Sequence, residues 1–210
     1  MCFSATVSFI AGGGLSLTGA LTLKHVVHRE QLPFAAIPLL FGMQQIIEGL
    51  LWLSLQYDAV FLRTLTTYMF TLFSHVLWPV YVPLATALLE HHAWRRKALW
   101  ILSLVGVVAG VHLLVLIATQ SLTVISGEHI IYVSAQHYEW PMMLLYVTAT
   151  CLAPLFSSYV LVRLFGVLTL LFFFISYWFY SAAFFSVWCF FAAILSTVIY
   201  AFFRSGRRRV

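Results

Sequence analysis

Residues 98–117 read ALWILSLVGVVAGVHLLVLI, a run of membrane-spanning length without Asp, Glu, Lys or Arg. Roughly 18 or more consecutive apolar residues predict a transmembrane helix, because about 20 helical residues cross the hydrocarbon core of a bilayer. The only ionisable side chain in this run is His112. Several other runs have similar length and composition, so the sequence predicts a protein that crosses a membrane several times.

The composition of the whole chain supports this class. Of 210 residues, 63% are hydrophobic and 8% are charged. Continuous apolar runs favour helices over the alternating pattern of an outer-membrane barrel. No polar stretch is long enough to bury a core of its own. We therefore expect one all-α, polytopic domain over residues 1–210.

The spacing of polar breaks between the apolar runs predicts seven helices. Pro33 and Pro141 stand in the first turns of two of them, where proline is tolerated. One long loop is expected over residues 120–138. The predicted helices cover residues 3–25, 33–55, 65–89, 97–119, 140–160, 162–180 and 182–203.

The distribution of Lys and Arg predicts the orientation. With the N-terminus outside, ten of the eleven basic residues fall on the cytoplasmic side and only Arg63 falls outside. Cytoplasmic segments carry such an excess of basic residues, so we expect the N-terminus outside and the C-terminus inside. The basic tail from Arg204 to Arg209 predicts contact with anionic membrane lipids. It is too short to indicate a specific nucleic-acid partner.

Three ionisable side chains lie within the apolar runs: Glu48, His75 and His112. Ionisable groups inside a membrane face the bundle interior and mark functional sites, because their exposure to lipid is costly. The rise of 1.5 Å per residue places all three in the outer halves of their helices, about 10 to 15 Å from the helix ends. The sequence therefore predicts a polar pocket that opens outward.

Two histidines and one carboxylate with an open position for water form a known type of catalytic zinc site. We expect His75, His112 and Glu48 to bind zinc or another divalent metal, with Glu48 as third ligand or general base. Cys2 is a candidate nucleophile or ligand at the pocket mouth if Met1 is removed. Tyr146 is a further candidate catalytic residue near the same depth.

Small residues predict close helix packing in two places. Ser8, Gly12, Ser16 and Gly19 form a stripe on the first helix, and Gly106 and Gly110 form a G-x-x-x-G pattern on the fourth. Such positions let helix backbones approach each other.

Three segments resemble an uncharacterised bacterial family of seven-helix integral membrane proteins. They are MCFSATVSF at residues 1–9, PLLFGMQQIIEG at residues 38–49 and SHVLWP at residues 74–79. The resemblance implies a multi-pass protein of the bacterial inner membrane and no particular activity.

The chain also resembles, more weakly, seven-helix hydrolases such as alkaline ceramidases and adiponectin-receptor-like proteins. That resemblance implies intramembrane zinc chemistry on a lipid substrate. This chain lacks the paired histidines that those proteins carry on the last helix. It also has no lysine on its seventh helix, which excludes a retinal Schiff base.

Three functions are therefore open. The first is a membrane-embedded, metal-dependent enzyme such as a lipid hydrolase. The second is a proton or cation transporter that uses Glu48 and the two histidines as a relay. The third is a non-catalytic binding, sensing or assembly subunit with a hydrogen-bonded polar core. The sequence leaves the oligomeric state open.

Overall fold

The computed structural model describes residues 4–119, 123–126, 130–133, 140–180 and 183–205, and most of these residues are helical. Each of the seven helices in these residues corresponds to a predicted one, which confirms the helical fold class. The helices are α1 (Ala5–Lys24), α2 (Arg29–Gln56), α3 (Val60–Leu89), α4 (Ala93–Thr119), α5 (Trp140–Leu155), α6 (Val160–Phe179) and α7 (Phe184–Arg204).

Six of these helices, all except α5, are long and apolar enough to cross a membrane. The α5 helix is apolar but shorter. Length and composition together give the chain the character of a multi-pass membrane protein.

A short β-hairpin follows α4, within the segment that the sequence predicts as a long loop. Strand β1 (Thr123–Ser126) pairs with strand β2 (Ile130–Val133) in antiparallel register, with Thr123 opposite Val133. Val124 packs beside Leu51 near the end of α2. The hairpin therefore lies at the end of the bundle where α2 finishes and α3 begins.

The α1 and α2 helices pack closely through their glycines. A Cβ atom added to Gly19 would lie 2.5 Å from the backbone nitrogen of Leu39, and one added to Gly42 would lie 2.5 Å from Ser16 Oγ. Gly12 is similarly close to Ile46. No larger side chain fits at these crossings unless the backbones separate, so the predicted packing role of the α1 stripe is confirmed.

The glycines of α4 pack against the proline-containing part of α3. A Cβ atom on Gly106 would lie only 1.8 Å from the Pro79 carbonyl oxygen, and one on Gly110 would lie 2.9 Å from the Val80 side chain. The G-x-x-x-G pattern on α4 is therefore a packing motif, as predicted.

Two helices widen into π-helical turns just before a proline. The first turn covers Leu72–Leu77 in α3 and precedes Pro79, and the second covers Thr148–Leu152 in α5 and precedes Pro154. Proline lacks an N–H group, and its ring clashes with the carbonyl four residues earlier. A π turn changes the hydrogen-bond register, and such turns are frequent at functional sites. These turns determine the orientation of the polar side chains in α3 and α5.

Candidate functional site

Buried polar side chains from four helices meet in the half of the bundle that holds the α2–α3 connection. Their central member is Glu48 on α2, which is 0% exposed. Glu48 Oε1 accepts a hydrogen bond of 2.9 Å from Ser186 Oγ at the start of α7. We refer to this set as the polar site: Gln44, Gln45, Glu48, Ser74, His75, Tyr146 and Ser186.

His75 enters the polar site from the π turn of α3. The ring is buried, and its Nδ1 lies 2.6 Å from Ser74 Oγ in a hydrogen bond whose direction depends on the histidine tautomer. The His75 ring also packs on Phe185, with 4.2 Å between ring centroids. Phe185 and Ser186 are neighbours in sequence, so the first turn of α7 contacts both His75 and Glu48.

Tyr146 supports the backbone of the same π turn. The backbone N–H of Trp78 donates to the Phe73 carbonyl, five residues earlier. In this register the donor for the Ser74 carbonyl would be Pro79, which has no N–H. The Tyr146 hydroxyl donates to the Ser74 carbonyl instead. The sequence predicts Tyr146 as a catalytic candidate, and the contact seen here is one that holds the backbone beside His75.

The orientation of Gln44 is fixed by a tryptophan. The Trp78 indole N–H donates to Gln44 Oε1 at 2.7 Å, and an indole nitrogen cannot accept a hydrogen bond. The amide nitrogen of Gln44 must therefore point away from Trp78.

Several buried polar atoms have no hydrogen-bond partner among the residues that the structure describes. They are Gln44 Nε2, Gln45 Nε2, Gln45 Oε1 and Trp52 Nε1 on α2, and Ser176 Oγ on α6. Buried polar groups are nearly always paired, and unpaired ones commonly mark the place of a bound water, ion or ligand. The α2 atoms lie along one helix face over eight residues, or about 12 Å.

His112 lies outside this arrangement. It is half-buried on α4, and the ring has no hydrogen bond or ring contact within the described part of the chain. The buried face of α4 passes instead through Gly106, Gly110 and Leu113.

The predicted metal centre is not assembled from the described residues. In those ranges, no three His, Cys, Asp or Glu side chains are grouped so that they could hold a metal ion. Glu48 and His75 both contact the start of α7, but His112 does not complete a ligand set with them. Cys2, the other predicted participant, lies outside the described residues.

A second buried carboxylate, which sequence reasoning missed, lies at the opposite end of the bundle. Glu90 directly follows α3 and is 2% exposed. Its Oε1 accepts from the backbone N–H groups of His91 and His92, both at 2.9 Å, and from Ser158 Oγ at 3.0 Å. Its Oε2 accepts from the Ser158 N–H at 2.6 Å. Glu90 thus joins the α3–α4 connection to the α5–α6 connection.

Hydrogen bonds determine the charge state of Glu90. Burial alone would raise the pKa of its carboxyl group, but the bonds from His92, Ser158 and His91 outweigh burial and lower the pKa below its ordinary value. Arg95 reinforces the same junction by donating to the Ser157 carbonyl at 2.9 Å. No apolar run surrounds Glu90, and its partner Ser158 is 68 residues away, so the sequence contains no local signal for this contact.

These features define a class: a helical, multi-pass membrane-type bundle with a buried polar site around one carboxylate. Within that class, the chain belongs to a family of unknown function, DUF6629, whose model matches residues 1–210. The prediction of an uncharacterised family is thereby confirmed. No curated protein and no solved structure matches the chain.

Proposed function

We propose that this chain is a seven-span membrane protein, with its N-terminus outside, that binds a small hydrogen-bonding ligand at the polar site. This is the binding or sensing role among the three predicted functions. The observation that carries it is the row of unpartnered buried atoms on α2 beside Glu48 within the described residues. Each such atom costs about 1–3 kcal/mol when it is left without a partner, and a ligand recovers that cost.

The connections of α5 support seven spans. The segment after α5 contacts Glu90 at the start of α4, through the hydrogen bonds from Ser158. A helix that begins after the end of α4 and finishes near its beginning runs antiparallel to α4 through the bundle. Tags on the two termini, tested for accessibility from each side of the membrane, would check both the span count and the orientation.

The unpartnered atoms indicate the chemistry of the ligand. Three of the four on α2 are N–H donors, contributed by Gln44, Gln45 and Trp52, and the fourth is the Gln45 carbonyl oxygen. Exchanging the amide oxygen and nitrogen of Gln45 would not change this inventory, because neither atom has a partner among the described residues. A ligand with acceptor oxygens and at least one hydroxyl hydrogen matches this set.

A matched pair of variants tests the proposal. The full chain in lipid nanodiscs is labelled with a short photoreactive alcohol, butan-1-ol carrying a diazirine, and the labelled residues are mapped by mass spectrometry. We expect labelling along residues 44–52 that excess butanol suppresses. Gln45→Leu should reduce it strongly, whereas Gln56→Leu, the same change at an exposed position of α2, should not. Labelling that is equal in both variants would contradict the proposal.

Metal analysis of the same preparation tests the predicted metal-dependent hydrolase. That enzyme requires a further ligand from outside the described residues, where Cys2, predicted as a nucleophile or ligand, is a candidate. A stoichiometric divalent metal that disappears in both Glu48→Gln and His75→Ala would replace ligand binding with metal chemistry as the function. Proton flux into liposomes that depends on Glu48, without metal, would favour the predicted transporter.

A further inference from the structure

The face of α2 that carries the polar site continues into an apolar patch at the end of the helix. Gln44, Glu48, Leu51 and Leu55 are spaced i, i+4, i+7 and i+11, so they lie along one face of α2. The first two belong to the polar site, and the last two form the apolar patch. Gln44, Glu48 and Leu51 are all buried.

The β1–β2 hairpin lies on this apolar patch. Leu51 is 0% exposed, and the side chains that pack against it are Trp52, Leu55 and, from strand β1, Val124. Leu51 follows Glu48 by three residues, which is about one helical turn. The hairpin therefore covers the α2 face about one turn beyond the carboxylate of the polar site.

The polar site is closed in this arrangement. Gln44, Gln45 and Glu48 are each 0% exposed, and the indole nitrogen of Trp52 is also buried. A ligand that arrives from outside the bundle can reach these groups only if a covering element moves.

The hairpin is the covering element best suited to move. Within the described residues, its two strands form a sheet by themselves, without a third strand from elsewhere in the chain. An isolated two-stranded hairpin is marginally stable in water. Lids and ligand-binding loops are drawn from elements of low local stability, because such elements open at small cost.

We infer that the hairpin is a lid of the polar site, closed when Val124 packs on Leu51 and open when this contact is lost. Because the hairpin lies at the end of the bundle, the ligand enters from the aqueous side and not from the lipid between two helices. With the N-terminus outside, this side is the external one. The inference rests on the proposed function, since it describes how the ligand reaches the polar site.

A reversible crosslink tests the lid. In the double variant Leu51→Cys/Val124→Cys, oxidation joins the two side chains in contact and holds the hairpin closed. The diazirine butanol is mixed with the full chain in nanodiscs, and photolysis at increasing times gives the rate of labelling around Gln45. Oxidation should slow this labelling by about tenfold or more, and reduction with dithiothreitol should restore it. Each single cysteine variant, oxidised in the same way, is a matched control for effects of the native cysteines.

A second variant opens the lid and decides the question if the crosslink does not form. Val124→Asp places a carboxylate against the apolar patch and should speed labelling about tenfold, the effect of losing one buried apolar contact. Val60→Asp, the same change at an exposed valine at the start of α3, is the control and should leave the rate unchanged.

The outcomes separate the lid from the proposed function. Equal labelling rates in the oxidised and reduced double variant, or in Val124→Asp and wild type, would overturn the lid. The labelling itself would then leave the proposed function standing, with a ligand that enters by another route. Absence of labelling in the wild type would overturn both.

Discussion

Glu48 and Glu90 are both buried carboxylates, but their surroundings differ. Glu90 accepts four hydrogen bonds, which join two connections at one end of the bundle. Glu48 accepts a hydrogen bond from Ser186, and its neighbours on α2 carry amide and indole atoms that have no partner among the described residues. Burial alone does not distinguish a structural carboxylate from one in a binding site. The hydrogen bonds of the surrounding groups do.

The two carboxylate regions also differ in their effect on the stability of the fold. A buried charge is tolerated when hydrogen bonds replace its hydration, and it then stabilises the fold around it. A buried region with unpaired donors costs stability, so it persists where something else binds. The Glu90 junction therefore supports the bundle, and the polar site is the part of the bundle for which we propose a ligand.

The largest effect should come from removing the structural carboxylate. Glu90→Ala takes away the acceptor for both Ser158 donors, of which the backbone N–H is buried. We expect a loss of about 2–4 kcal/mol in the free energy of unfolding, since each unsatisfied buried donor costs about 1–3 kcal/mol. Denaturant titration of the purified protein measures it. Glu30→Ala, at an exposed glutamate, is the control, and an equal loss in the two variants would refute the structural role of Glu90.

Acid should weaken the same junction. Because hydrogen bonds lower the Glu90 pKa in the folded protein, its stabilising contribution is complete above the ordinary carboxyl pKa of 4.5. The contribution is lost as the pH falls below that value through the lowered pKa. The Tm of the wild type should therefore decline in this range more steeply than the Tm of Glu90→Gln, which has no group to titrate there. Parallel Tm curves would show that Glu90 does not contribute in this way.

Tyr146→Phe should have a smaller effect on the free energy of unfolding. It tests whether Tyr146, a member of the polar site, supports the backbone of the π turn in α3. The variant keeps the ring but removes the hydroxyl that donates to the Ser74 carbonyl, and Pro79 has no N–H group that could donate in its place. We expect a loss of about 1–2 kcal/mol in the free energy of unfolding. Tyr177→Phe, at a more exposed tyrosine on α6, should change it little. A Tyr146→Phe protein of unchanged stability would show that the hydroxyl does not hold the π turn.

The seven helices could be predicted because the thickness of a bilayer sets their length and the apolar runs display it directly. The glycine contacts were predictable for a similar reason, since small residues at helical spacing are the positions where two helix backbones can approach. Glu48 stood out as a charge within an apolar run. Each of these signals lies within a single helix of the sequence.

The position of His112 shows that depth along a helix does not by itself place a residue in a site. Counting residues places it along α4, but a ligand must also point in the right direction around the helix axis. Gly106 and Gly110 are predicted from their spacing to form the packed face, and His112 follows Gly110 by two residues, which is about 200° around the helix. This angle could have been used to predict that His112 lies away from the packed face of α4. The rotation of His75 could not be predicted in the same way, because a π turn changes the phase of α3 just before Pro79.

The smallest change in stability is expected at Gln45. Gln45→Leu replaces two buried polar atoms without described partners by an apolar side chain of similar size. Such a replacement is nearly neutral or stabilising when nothing is bound. The free energy of unfolding should therefore stay within about 1 kcal/mol of wild type or rise slightly. A loss as large as that of Glu90→Ala would mean that Gln45 has structural partners, and the distinction between the two carboxylate regions would fail.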